Sequence, residues 1–333
     1  MILASFSSTI LAVILVVAVF ILAKAADTVV KALTNLGKIL HIKTFVLSFV
    51  LLGLTTSLPE MLIGVYSVLD GMPRLSFGNL LGGMVVLLTL VVGLNGLLFS
   101  GISLDGKLAR FSLCQIMPRI PGCHRLAMHD LSILGFILIM PALLILDSAL
   151  SRTDGIILVI FYLFFLYYYL REKSNHAENN GIKSSLLSSV GSFMAGALLM
   201  VIVARVIVLS SEVLLTRLNV SSFLFGLLVL GLGTNLPELT IMLRSQKSAR
   251  DISVANALGS AAANVIILGF LAIFSPLSNL RNTSTLLTAG ILMAVTILVV
   301  VFFRTRDRLS RTEALILVLI YIAFFAIQSF IRM

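Results

Sequence analysis

Two glutamates sit where a carboxylate is costly to keep. Glu60 ends the stretch LLGLTTSLPE (residues 51–60), and Glu238 ends VLGLGTNLPE (residues 229–238). Seven of the ten positions are identical, 178 residues apart. Each glutamate follows a proline, Pro59 or Pro237, inside an apolar run. Proline removes one backbone donor and clashes with the carbonyl four residues earlier, here that of Thr55 or Gly233. In hydrocarbon a freed carbonyl must find a partner, and a cation can be that partner. Thr56, Ser57, Thr234 and Asn235 place side-chain oxygens in the same turns. Two carboxylates carry a charge of −2, which one Ca2+ neutralises; this hard ion takes about 6–8 oxygen ligands, many of them carboxylate and carbonyl. Zn2+ prefers Cys and His, and Mg2+ holds its waters in a rigid octahedron. A single motif of this kind could be a packing kink. Two in matching places point to function, because an intramembrane Glu is a functional site by default.

The elements that carry these residues are membrane spans. Of 333 residues, 59% are hydrophobic and 11% are charged, where a soluble domain carries about 25% charged residues. Roughly 20 apolar residues cross a bilayer, and ten such runs can be read: about 8–34, 44–69, 76–99, 130–149, 153–170, 186–215, 222–244, 252–275, 284–303 and 312–331. The first has no small-residue cleavage site nearby and reads as a span, not a signal peptide. The net charge of +10 comes from basic residues dispersed in short groups between spans, which is a topology signal and not a nucleic-acid surface. Odd-numbered connections hold 16 Lys and Arg, while even-numbered ones with the C-terminus hold 5. The positive-inside rule then places the odd connections in the cytoplasm and both termini outside.

The polar stretch REKSNHAENNGIKSS (residues 171–185) separates five spans from five. An odd number of spans per half makes the second half enter the membrane from the opposite side. The expected fold class is an all-α membrane protein of about ten transmembrane helices, arranged as two inverted-topology five-helix repeats. The first repeat is 1–170, the cytoplasmic linker 171–185 and the second repeat 186–333. A second echo supports this: FGNLLGG (residues 77–83) and VANALGS (residues 254–260) share Asn79/Asn256, Leu81/Leu258 and Gly82/Gly259.

These two motif pairs resemble the alpha repeats of the calcium/cation antiporter superfamily, specifically its sodium/calcium exchanger branch. The resemblance implies a secondary antiporter that moves Ca2+ across the membrane in exchange for Na+ by alternating access. It implies an ion site of Glu60, Glu238, Thr56 and Thr234, extended by Ser57, Asn235, Ser260 and Asn264. Three departures stand out. Thr55 replaces the usual Gly; Asn235 stands where Ser is common; and Gly83 and Leu87 occupy ligand positions without a side-chain oxygen. These leave the Na+ stoichiometry and the counter-ion open.

If an empty site of charge −2 cannot reorient, one load leaves only when another enters. Na+ or H+ can be that other load, since a carboxyl buried in a low-dielectric site can be held neutral. A Ca2+/H+ antiporter and a non-transporting cation-binding or scaffold protein are therefore the alternatives. The partners are Ca2+, Na+ or H+ and the lipid bilayer. No cofactor is expected. No nucleophile or metal set accompanies the glutamates, so the chain is not read as an enzyme. No G-x-x-x-x-G-K-[ST] loop is present, so no nucleotide is expected as a partner, and the dispersed basic residues speak against nucleic acid. The absence of a large cytoplasmic loop favours a prokaryotic plasma membrane. Lys24 and Asp27 are spaced to pair on one helical face, and Arg205 and Glu212 lie in the sixth span; these are read as neutralising pairs and snorkelling bases. Cys114, Cys123, His124 and His129 lie in a connection whose two prolines suggest irregular chain, with spacing unlike standard zinc motifs.

Overall fold

The computed structural model describes residues 5–39, 55–98, 102–103, 123–171, 186–244, 250–306 and 308–331. Residues 51–54 of the first motif, Cys114 and residues 172–185 of the linker lie outside that set. Among the described residues the chain is almost wholly helical. The helices are α1 (Ser8–Ile39), α2 (Leu58–Leu69), α3 (Pro73–Leu98), α4 (Cys123–Leu144), α5 (Arg152–Arg171), α6 (Leu186–Leu218), a broken α7 (Ser222–Phe225, Gly226–Leu230 and Gly231–Thr234), α8 (Leu236–Arg244), α9 (Arg250–Phe274), α10 (Thr283–Arg306) and α11 (Arg311–Phe330). Seven spans among the described residues are long and apolar enough to cross a membrane. Outward faces are lined with apolar side chains such as Val13, Phe20, Leu198, Leu319 and Ile322, as in a chain solvated by lipid. This is an integral, all-α membrane protein.

Helix lengths follow the apolar runs. α1 has 32 residues and α6 has 33, or about 48–50 Å at 1.5 Å per residue, against a hydrocarbon core of about 30 Å. Both therefore overhang or tilt. Two details differ from the sequence reading. Residues 123–130 are helical and begin α4, so the proline-containing connection becomes helix at Cys123. A two-residue antiparallel pair, Ile102–Ser103 with Arg308–Leu309, adds a short β ladder that no hydropathy pattern predicts at this length.

The chain folds as two compact units, each drawing on both ends of the sequence. The first takes residues 1–83 and 176–237. In it α1 and α6 pack lengthwise through Leu15, Leu22 and Val29 on one side and Met200, Ala204 and Ile207 on the other, and α2 lies on α6. The start of α3 crosses α7 backbone to backbone. A Cβ on Gly78 would lie 2.1 Å from the Phe223 carbonyl oxygen, one on Gly82 2.2 Å from that of Leu227, and one on Gly226 2.1 Å from that of Leu75. Phe77 and Phe223 close one end, with ring centroids 5.5 Å apart. Small residues that let helix backbones meet are a common membrane packing device. α7 meets this crossing with a π-helical turn, Gly226–Leu230.

The second unit takes residues 84–175 and 238–331. There α5 packs on α9, α4 on α10, and the last turns of α3 on α11. α3 carries a second π-helical turn, Leu87–Val91. Buried Gln328 ties α11 to α10: its Nε2 donates to the Ser284 carbonyl (3.0 Å) and to Thr288 Oγ1 (2.9 Å). α11 starts on a capping box formed by Ser310 and Glu313.

The crossing makes a specific demand. Gly78→Ala or Gly82→Ala should lower the thermal midpoint of purified protein by several degrees, because overpacking costs about 1–3 kcal/mol. Gly191→Ala, where a Cβ meets nothing within 4 Å, should leave it unchanged. Equal midpoints for all three variants would contradict the crossing.

Candidate cation site

Each motif breaks its helix at the same place and in the same way. Ser57 leaves the helical region with φ −91° and ψ 6°, and Asn235 does so with φ −90° and ψ 11°. Both lie in the sparsely populated bridge region. The new helix starts at Leu58 or Leu236, so each proline falls in the first turn of a fresh helix. There its missing N–H costs little. The break therefore lies two residues before each proline, and the proline acts as a helix starter, not as a mid-helix kink. The carbonyls expected to be freed are served differently in consequence. Gly233 O accepts the Asn235 N–H, and Asn235 Nδ2 donates to Gly231 O at 2.7 Å.

The restart puts both glutamates in a first helical turn: Glu60 in α2 and Glu238 in α8. The positive end of a helix dipole favours a carboxylate there. All eight residues singled out from the sequence are buried, none exposed by more than 2%. The first unit holds Thr56, Ser57, Glu60, Thr234 and Asn235, and the second holds Glu238, Ser260 and Asn264. Within the first, Thr234 Oγ1 donates to Asn79 Oδ1 at 3.2 Å, and Asn235 Nδ2 approaches Thr234 Oγ1 at 3.4 Å. Within the second, Ser260 Oγ donates to Glu238 Oε1 at 3.1 Å. Asn264 follows one turn after Ser260 on α9, and both its amide atoms are buried without a hydrogen-bond partner among the described residues. Buried amides left this way are rare. Gly83 and Leu87 are buried on α3 and bring no side-chain oxygen.

Two of the charges outside the motifs, Asp27 and Arg205, form ion pairs, and neither pairs with the charge nearest to it by spacing in its own span. Asp27 binds Lys31, at 2.7 Å, one turn on. Arg205 pairs with Asp70, which caps α2, and lies 5.3 Å from the centre of the Tyr66 ring. Among the described residues no group of three His, Cys, Asp or Glu could hold a metal ion. The side chains of Cys123, His124 and His129 lie outside the described set. In the sequence, Asn79 stands out only as an echo of Asn256. Its place in the repeat was visible, but its bond to Thr234 was not.

Residues 10–171 and 188–330 match the family described as sodium/calcium exchanger protein. The chain belongs to that family. Among curated proteins it is 25% identical over 352 residues to the sodium/calcium exchanger MaX1 of Methanosarcina acetivorans, covering 96% of this chain and 98% of the relative. It is 24% identical over 302 residues to the inner membrane protein YrbG of Escherichia coli K12, covering 85% and 87%. Among solved structures, the sodium-calcium exchanger NCX_Mj soaked with 2.5 mM Na+ and 10 mM Sr2+ superposes with a TM-score of 0.66 at 21% identity, over 96% of this chain and 99% of that one. The same exchanger soaked with 2.5 mM Na+ and 0.1 mM Ca2+ gives a TM-score of 0.64 at 22% identity, over 93% and 95%. The shared fold is that of an exchanger.

The amide of Asn235 supports its own break. Asn235→Leu keeps the branched heavy-atom shape of the side chain and removes the donor to Gly231 O, leaving a buried carbonyl short of a partner at a cost of about 1–3 kcal/mol. A lowered melting temperature in detergent is the expected result, and an unchanged one would contradict this role.

Proposed function

We propose that this exchanger-family chain moves Ca2+ across the membrane in exchange for Na+ by alternating access, with Glu60 and Glu238 as the charged centre of one ion site. The observation that carries the reading is the pair of buried carboxylates, each in the first turn after an identically shaped helix break. The ions are transported substrates, and the chain is a carrier, not an enzyme. Thr56, Ser57, Thr234, Asn235, Ser260 and Asn264 complete the oxygen set. The charge of −2 is neutralised by one Ca2+ or by a load of monovalent cations. An unneutralised site stays put, because carrying bare carboxylates through hydrocarbon is too costly. Exchange is then obligatory.

The ten-span inverted repeat gives this site its symmetry, with repeats 1–170 and 186–333 joined by a cytoplasmic linker at 171–185. Two things support that plan: the motif pairs and the matched backbone angles at Ser57 and Asn235. The 16-to-5 bias of basic residues supports both termini outside, in a prokaryotic plasma membrane. The long α1 and α6, equivalent by the repeat, are the elements that rock.

A second reading, Ca2+/H+ exchange, draws on Gly83 and Leu87: α3 lacks side-chain oxygens at two positions where the family has them. Reconstitution separates the two. Ca2+ uptake into proteoliposomes should follow an imposed Na+ gradient, and Glu60→Gln or Glu238→Gln should abolish it. Uptake that ignores Na+ and follows a pH gradient would replace the first reading with the second. Transport that persists in both glutamine variants would overturn the site.

A further inference from the structure

A hydroxyl can offer its lone pairs to a cation only if its own proton points elsewhere. In the break of α7 that proton has a taker. Thr234 Oγ1 donates to Asn79 Oδ1 at 3.2 Å, and both side chains are buried. Asn79 comes from α3, and the glycine crossing brings it there. A Cβ on Gly226 would lie 2.9 Å from the Asn79 backbone nitrogen, and one on Gly231 2.9 Å from the Gly82 carbonyl carbon. No side chain can stand between the two helices at this level. Asn235 does not do the same work. Its Nδ2 is a donor, makes its short contact with Gly231 O at 2.7 Å, and reaches Thr234 Oγ1 only at 3.4 Å.

The register of α3 adds to this. Asn79, Gly83 and Leu87 fall at i, i+4 and i+8, on one helical face. Two of the three carry no oxygen. The polar group this face retains is Asn79, and its amide oxygen is engaged with a hydroxyl on another helix.

We propose that Asn79 is a positioning residue of the cation site: by accepting the Thr234 proton it turns the lone pairs of Thr234 Oγ1 toward the bound ion. α3 thus contributes to ion binding through α7. The inference rests on the reading of Thr234 as an ion ligand. Asn79 Nδ2 has no hydrogen-bond partner among the described residues, so no second bond fixes the amide the other way round. With oxygen and nitrogen exchanged, Asn79 would donate to Thr234 Oγ1 and occupy a lone pair. A near-isosteric variant decides between these arrangements, because Asp accepts and, when ionised, cannot donate.

The test is Ca2+ binding by titration calorimetry on the purified full-length protein, for Asn79→Ala, Asn79→Asp, Thr234→Val and the double variant Asn79→Ala/Thr234→Val. Loss of one orienting hydrogen bond should weaken Ca2+ binding about 10-fold in Asn79→Ala. Asn79→Asp should bind at least as tightly as the wild type. In the Thr234→Val background, Asn79→Ala should have no further effect, since coupled residues are non-additive. A fall in affinity for Asn79→Asp equal to that of Asn79→Ala would overturn the acceptor role, and additive effects in the double variant would show that Asn79 acts on packing and not through Thr234. Glu60→Gln and Thr234→Val serve as controls for the site. If they leave Ca2+ binding intact, the site assignment itself falls. If they weaken it while Asn79→Ala does not, only the role of Asn79 falls.

Discussion

A carboxylate taken out of water demands compensating polar groups or charge, and this chain buries two, Glu60 and Glu238, in near-identical settings. Each glutamate is placed by a helix that stops and restarts one residue ahead of a Leu-Pro pair. The stop interrupts the backbone ladder, and the restart supplies the positive end of a helix dipole to the carboxylate. The rest of the structure serves to hold these two breaks in hydrocarbon, where broken backbone is tolerated only if buried in protein or lining a cavity.

The glycine crossing of α3 and α7 is what makes the α7 break tolerable. Backbones this close leave no room for side chains, so Asn79 can reach the hydroxyl of Thr234 while the side chain of Asn235 turns back on its own helix to Gly231 O. In the second unit the corresponding help comes from α9, where Ser260 donates to Glu238. The two halves of the motif pair are therefore supported unequally. α9 brings a hydroxyl and a buried amide, whereas α3 brings Gly83 and Leu87 at the equivalent positions. This inequality bears on which monovalent ion can replace Ca2+ and how many of them.

Much of this was legible in the sequence because the signals are local. Long apolar runs set helix lengths, and the repeated Leu-Pro-Glu located both breaks to within two residues. Burial of all eight site residues follows from their position inside those runs. What escaped is non-local. The break falls at Ser57 and Asn235, not at the carbonyls four residues before proline, because a proline beginning a helix is cheaper than one inside it. Asp27 chose Lys31, and Arg205 chose Asp70 from another helix, a choice that depends on packing rather than spacing. Glycine in an apolar helix reads equally as filler or as a contact point, so the crossing that delivers Asn79 to Thr234 left no distinctive trace in the sequence.

Under the proposed function, one Ca2+ and a monovalent load compete for the same binding site. Calorimetric titration of the purified wild-type protein with Ca2+ at a series of Na+ concentrations tests it most directly. The account predicts one Ca2+ per chain, with an apparent affinity that falls as Na+ rises. Absence of Ca2+ binding, or binding indifferent to both Na+ and pH, would contradict it.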